Sequence, residues 1–226
     1  PFCIGLLILL ISLVRIYYSW IKLFSRDKYL KLLKGIFSLN MLNAVKEIVL
    51  ESILHRRIFR VNILLGYMHA SLVVGWLLMI IVGTMESKLH MRRFFNMPYD
   101  PVFLKYFTHN KYDISSTGFF LTIMDSLLLI VLISVFLAFT KRFYSFIFGL
   151  RNTTRLKLQD KLALYSLWLI FPLRWLSESS TAAIYHNGGF LTENTGKVLS
   201  LIVNPEYIEK PLWWSYSSVL AIFFIF

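Results

Sequence analysis

The chain contains little cysteine and little charge. Its single cysteine, Cys3, excludes a disulfide within the chain, and also excludes an iron–sulfur cluster or zinc site held by several cysteines. Charged residues are 16% of the 226 residues, where a soluble domain has about a quarter. Any iron–sulfur cluster that works with this protein must therefore be held by a partner or by further sequence of the same polypeptide.

Apolar residues are correspondingly frequent. They make up 57% of the chain, and the mean hydropathy is +0.64. The charges cluster between long uncharged runs, as is typical of an integral membrane protein with several helices. The net charge of +12 does not indicate a nucleic-acid partner, because the lysines and arginines lie beside the apolar runs. In that position they set topology and contact anionic lipid head groups.

Five apolar runs are long enough to cross a bilayer, which takes about 20 helical residues. The predicted spans are about 2–24, 61–85, 118–140, 161–186 and 211–226. The predicted fold class is therefore all-α, a polytopic membrane protein with five transmembrane helices in one domain over residues 1–226. Because the chain begins at Pro1 and ends inside an apolar run at Phe226, we expect it to continue beyond residue 226.

Lysine and arginine are densest in the connections before the second and fourth predicted spans. Basic loops stay in the cytoplasm, so we place both connections inside. This puts the N-terminus outside and the chain after Phe226 inside. The first connection includes "LNMLNAVKEIVLESILHRR", whose spacing predicts an amphipathic surface helix. The aromatic link "RRFFNMPYDPVFLKYFTHNKYDISSTG" is expected to cap the outer end of the bundle.

His69 is the histidine that lies well inside a predicted span, about 12 Å above its inner boundary. Gly66 is about one turn away on the same face, where it leaves room for a flat macrocycle. Neutral imidazole is a common axial ligand of haem iron, so a b-type haem between helices is one interpretation. The other is a histidine hydrogen-bonded to a neighbouring helix, with Gly66 allowing close packing.

The fourth span carries a second unusual feature in "FPLRWLSESSTAAIYH". Arg174 and Glu178 are four residues apart on one helical stripe and can pair. Asp125, in the third span, lies at a similar depth and could join them. A charge inside a membrane usually faces the bundle interior or a water-filled cavity. The group is either a pocket that binds a quinone head group and its protons, or a buried ion pair that fixes helix register.

Arg15, in the first span, lies toward the inner side of the membrane. Most arginines in such positions extend their charge to the interface. If a haem is bound at His69, Arg15 is a candidate partner for a haem propionate.

The second span resembles a known group of membrane proteins. In "RRIFRVNILLGYMHASLVVGWLLMIIVGT" a basic stretch precedes Gly66, Met68 and His69, and a glycine-containing aromatic run ends in Gly83 and Thr84. This is similar to the haem-b subunits related to the gamma chain of respiratory nitrate reductase. It is closer to the membrane part of heterodisulfide-reductase-type proteins. The segments "MDSLLLIVLISVFLAFTKRF", "LQDKLALYSLWLIFPLRWLSES" and "PLWWSYSSVLAIFFIF" resemble the third, fourth and fifth helices of that group.

The resemblance implies one or two b haems in the cytoplasmic membrane of a bacterium or archaeon. Electrons would pass between menaquinone and iron–sulfur clusters on a cytoplasmic subunit or a C-terminal domain. It also implies partner histidines from the fifth helix, one of them near residues 215–218, but this sequence has Ser215, Tyr216, Ser217 and Ser218 there. His69 is carried over as the ligand. A second partner histidine at the inner end of the fifth helix would lie beyond Phe226, and His55 ranks below it because His55 precedes the span. The serines and tyrosine at 215–218 count against a second haem.

The sequence therefore predicts a membrane electron-transfer component, the membrane part of a quinone-linked oxidoreductase. Two other classes remain open. One is an ion or solute transporter that uses Arg174, Glu178 and Asp125 as its pathway. The lack of inverted repeats and of paired broken helices in the sequence counts against this class. The other is a structural anchor for a soluble enzyme.

Overall fold

The computed structural model describes residues 1–25, 30–31, 34–35, 38–90, 118–149, 157–186 and 188–226, and the regular structure in those ranges is helical, with no strand. We label the helices α1 Phe2–Lys22, α2 Leu39–Glu47, α3 Arg56–Val61, α4 Ile63–His90, α5 Gly118–Ile147, α6 Leu158–Tyr185, α7 Phe190–Ile202 and α8 Pro205–Ile225. A π-helical turn, Ile48–Ile53, continues α2.

Three of the described helices are long and apolar enough to cross a membrane: Phe2–Lys22, Ile63–Met85 and Phe119–Ser145. The predicted fourth and fifth spans are also helices, of 28 and 21 residues. They are not among the three because both carry polar and charged side chains, and hydropathy averages every face of a helix. Many of those side chains are buried within the described bundle.

The helix packing is described by the pairs in contact: α4 lies along α5, and α6 packs against both α7 and α8. The ring of Trp76 on α4 connects these groups, because its centroid is 5.6 Å from that of Phe171 on α6 and 5.7 Å from that of Phe223 on α8. Small residues let membrane helices approach each other closely. Gly75 of α4 is such a residue, and it contacts Val131 of α5.

The segment before the second span is helical, as its spacing predicted. It comprises α2 and the π turn, and most of its apolar side chains are exposed. The second span itself begins at Ile63, two residues later than predicted, because the backbone is extended at Asn62. The side-chain oxygen of Asn62 accepts a hydrogen bond from Leu65 N, which caps the start of α4. The predicted outer cap, residues 92–117, lies outside the described residues.

The packing of α1 corrects the predicted topology. The Phe2 and Phe224 rings are 5.7 Å apart, and Gly5 lies against Ala221. From the first contact to the second, the residue number increases in α1 and decreases in α8, so the two helices are antiparallel where they touch. The first and last spans of a five-span bundle run in the same direction, and the prediction placed residue 2 and the chain after Phe226 on opposite sides. Loop charge could not reveal this, because it says nothing about which helices pack together.

Candidate functional site

Two histidines meet on the surface of α4. The rings of His55 and His69 are 5.8 Å apart between centroids, with planes 15° from parallel. His55 precedes α3 in the left-handed conformation (φ 51°), so the chain turns there between the π-helical turn and α3. Its Nδ1 lies 3.0 Å from the carbonyl oxygen of Ile53. A carbonyl only accepts, so Nδ1 donates, and Nε2 of the neutral ring is left with its lone pair.

The surroundings of His69 differ from the prediction. Its side chain is exposed on the described bundle, where a site between helices was expected. The space over Gly66 is also filled. A Cβ on Gly66 would lie 2.6 Å from Cγ of Phe59. The glycine therefore lets the Phe59 ring of α3 press against α4, and it does not provide open space for a macrocycle. Gly66 had two interpretations, space for a macrocycle or close helix packing, and the structure supports close packing.

Arg15 is not brought to the histidines. It is exposed on α1, whose first turns pack on α8, and no hydrogen bond or ion pair joins it to any other residue in the described ranges. Arg56, Arg57 and Arg60 of α3 lie in the short helix that directly follows His55. They are the basic residues closest in sequence to the histidine pair.

Arg174 and Glu178 form the predicted pair. Nε and Nη2 of Arg174 lie 2.9 and 2.8 Å from Oε1 of Glu178, and each side chain is about one-tenth exposed. The hydroxyl of Tyr216 on α8 is hydrogen-bonded to the same guanidinium. A charged pair of this kind is costly to bury unless its donors and acceptors are satisfied. Tyr216 contributes to this, and it connects the pair to α8.

Helix α8 carries a second buried carboxylate, Glu209, which was not predicted from the sequence. Oε1 of Glu209 accepts a hydrogen bond from Thr181 Oγ1 at 3.0 Å, and Thr181 Oγ1 accepts one from Trp213 Nε1 at 3.0 Å. Glu209 is 5% exposed. We call the whole row the polar seam: Arg174, Glu178, Thr181, Glu209, Trp213 and Tyr216. Glu209 and Trp213 are four residues apart and therefore share a helix face. Glu209 was not considered because the predicted fifth span began after it, at about residue 211.

Replacing Thr181 by valine tests the seam. Valine keeps the shape but removes the hydroxyl, so Glu209 loses a donor and Trp213 Nε1 loses its acceptor. We expect the free energy of unfolding to fall by about 1–3 kcal/mol, measured by denaturant titration of the protein in mixed micelles. Thr84→Val is the control, because that hydroxyl bonds the carbonyl of Ile80 within α4 and lies on an exposed face. Equal losses for the two variants would contradict the proposed role of Thr181.

Asp125 has different partners from those predicted. Its Oδ2 accepts hydrogen bonds from the backbone nitrogens of Leu191 and Thr192 at 2.7 and 3.0 Å, and Oδ1 lies 3.1 Å from Thr192 Oγ1. The carboxylate of α5 thus caps the first turn of α7, where free N–H groups and the helix dipole favour a negative charge. Gly189 lies directly against this carboxylate. Asp125 holds α7 to the bundle and is not placed in the Arg174–Glu178 pair.

Comparison of the chain with protein-family models, with curated proteins and with solved structures finds no match. Among the described residues there is no group of three or more histidine, cysteine, aspartate or glutamate side chains placed to hold a metal ion. What the structure does bring together is one pair of imidazoles and one buried row of titratable and hydrogen-bonding side chains.

Proposed function

We propose that this protein is a membrane-embedded electron-transfer component that binds a b-type haem through His69 and exchanges electrons with a quinone. The observation that carries the proposal is the close, nearly parallel approach of His55 and His69. The resemblance of the second span to haem-b membrane subunits supports it, as do the long apolar helices.

The pair suits haem binding in donor type, because neutral imidazole is a common ligand of haem iron. The two rings lie 5.8 Å apart between centroids, so both would be near one bound haem. The Ile53 carbonyl orients His55 through Nδ1, as second-shell acceptors orient metal-bound histidines. The haem would supply one-electron redox chemistry, and this chain would supply its ligands and position.

The polar seam is the proposed place for quinone chemistry. Reduction of a quinone needs protons as well as electrons, and the seam holds two buried carboxylates, Glu178 and Glu209, beside a phenol and a hydroxyl. Arg174 would favour a negative charge on a reduced ring, and Glu178 would exchange the proton. The seam lies in the half of α6 that contains its C-terminal end.

The family resemblance implies an iron–sulfur module as the electron partner, and the single cysteine of this chain means that such a cluster would be held outside it. We place that module on the cytoplasmic side, on a separate subunit or a C-terminal domain. The basic residues near the start of α4, the end of α5 and the start of α6 support this orientation for those helices. The proposed location is the cytoplasmic membrane of a bacterium or archaeon.

A reduced-minus-oxidised absorbance spectrum of the purified protein, with iron quantified in the same sample, tests the haem. We expect a b-type band in the wild-type protein, and its loss in His69→Ala. In His55→Ala the band should weaken or shift to that of a singly ligated haem. Iron content should fall with the band, which makes the result independent of any activity assay.

His186→Ala is the matched control, because His186 also takes the left-handed conformation but ends α6. Its spectrum should equal that of the wild type. The haem proposal is wrong if the wild-type protein shows no b-type band, or if the band survives unchanged in His69→Ala.

A further inference from the structure

An apolar groove separates α5 from α6. It has a volume of about 630 Å³, and its lining includes Ile133, Phe136 and Phe139 of α5 and Tyr165, Leu169 and Trp175 of α6. The groove extends from Leu129 to Phe139 on α5 and from Tyr165 to Trp175 on α6, or about 15 Å along each helix. This volume is within the range of ligand sites in proteins. A long, narrow, apolar space of this size matches one hydrocarbon chain.

A cation lies at one end of the groove. The guanidinium carbon of Arg142 lies 5.7 Å from the ring centroids of both Tyr165 and Trp168, which line the groove. Stacking on aromatic faces leaves the in-plane N–H groups of arginine free to bind an anion. In the described ranges, the ion pairs join Arg174 to Glu178 and Lys197 to Glu193, so neither involves Arg142.

We propose that the groove is a binding site for one anionic phospholipid, with an acyl chain between α5 and α6 and the phosphate at Arg142. The charge is at the end of the groove where α5 finishes and α6 begins, and Lys157 and Lys161 lie at that start of α6. An anionic head group complements this end, and the membrane supplies the lipid to a groove that opens on its apolar core. This site is independent of the haem and of the polar seam.

One observation favours a different occupant. At the far end of the groove the indole nitrogen of Trp175 is buried and has no hydrogen-bond partner among the described residues. A quinone carbonyl could accept a hydrogen bond from that N–H group. The cation at the opposite end favours the phospholipid, because a quinone has no phosphate, and the experiment is arranged to separate the two.

The test is native mass spectrometry of the purified protein after reconstitution in an equimolar mixture of phosphatidylglycerol and phosphatidylcholine with identical acyl chains. We expect one retained lipid with a preference for phosphatidylglycerol. Arg142→Gln should reduce that preference about fivefold, since one basic residue near an anionic head group contributes about 1 kcal/mol. Leu169→Trp, which fills the groove from an exposed position, should reduce retention of both lipids.

Lys141→Gln is the control. It removes the same charge one residue away, but successive residues of a helix point about 100° apart, so Lys141 does not share the helix position of Arg142. The proposal is overturned by equal retention of the two lipids in the wild-type protein, or by equal effects of Arg142→Gln and Lys141→Gln. Unchanged retention in Leu169→Trp would also overturn it. So would a co-purified quinone that Leu169→Trp removes while the phospholipid stays.

Discussion

Replacing Arg174 by leucine is expected to lower the free energy of unfolding by about 3–5 kcal/mol. The substitution leaves the Glu178 carboxylate one-tenth exposed without the guanidinium that lies 2.8 Å away. It also removes the hydrogen bond from that guanidinium to Tyr216. The cost comes from the carboxylate that stays behind, since removing one member of a buried pair costs far more than replacing both.

The double variant Arg174→Leu/Glu178→Leu distinguishes the cost of a carboxylate left buried without its partner from the cost of losing the ion pair itself. If the cost is that of an uncompensated buried charge, the double variant should regain most of the stability lost by the single one. Denaturant titration in mixed micelles gives the three free energies. A double variant as unstable as the single one would contradict this account.

The exposed pair Lys197–Glu193 is the matched control. It has the same four-residue spacing and a similar distance of 2.9 Å, but its side chains are 66% and 41% exposed. Exposed helix pairs contribute little to stability because solvent screens them, so Lys197→Leu should change stability little. A further variant, Glu178→Gln, tests function. If the seam serves quinone chemistry, Glu178→Gln should lower quinol oxidation while the haem band stays.

Replacing Asp125 by alanine is expected to cost about 3 kcal/mol and to release the start of α7. Asp125 is 3% exposed, and its carboxylate receives the backbone N–H groups of Leu191 and Thr192. Without it, two buried donors at a helix N-terminus lose their acceptor. Asp125→Asn keeps one carbonyl oxygen but loses the charge, so we expect a loss between those of alanine and wild type.

Hydrogen exchange by mass spectrometry measures this effect locally. Peptides that cover 188–196 should exchange faster in Asp125→Ala, while peptides from the middle of α4 should not change. Asp160→Asn is the control, because Asp160 also accepts from a backbone nitrogen at a helix start, that of Lys157, but is exposed. Equal exchange of α7 in wild type and Asp125→Ala would show that other contacts hold this helix.

Much of the helical structure follows from local sequence. Apolar runs predicted the helices that became α1, α4, α5, α6 and most of α8, because a chain in a bilayer must satisfy its backbone hydrogen bonds within the segment. The Arg174–Glu178 pair was also predictable, since four-residue spacing places both side chains on one helix face. Helix α7 was not predicted, because much of its anchoring comes from Asp125, 66 residues earlier than Leu191 in the chain.

The candidate site shows the same division. The sequence singled out His69 by its position in an apolar run, but it ranked His55 low as a partner because His55 precedes the span. The two rings meet only because the backbone turns at His55 and again at Asn62. Gly66 could not be interpreted from one helix, since its role depends on the Phe59 ring that this fold brings against it.

The sequence alone determined the membrane class, the helical structure and the intrahelical ion pair, because each of these depends on residues within a few turns of one another. The tertiary structure decided which histidine faces His69, which carboxylate caps α7, and how Glu209 enters the polar seam. It also decided that α1 packs antiparallel to α8. These features depend on contacts between distant segments, and helix periodicity and loop charge do not encode which segments will meet.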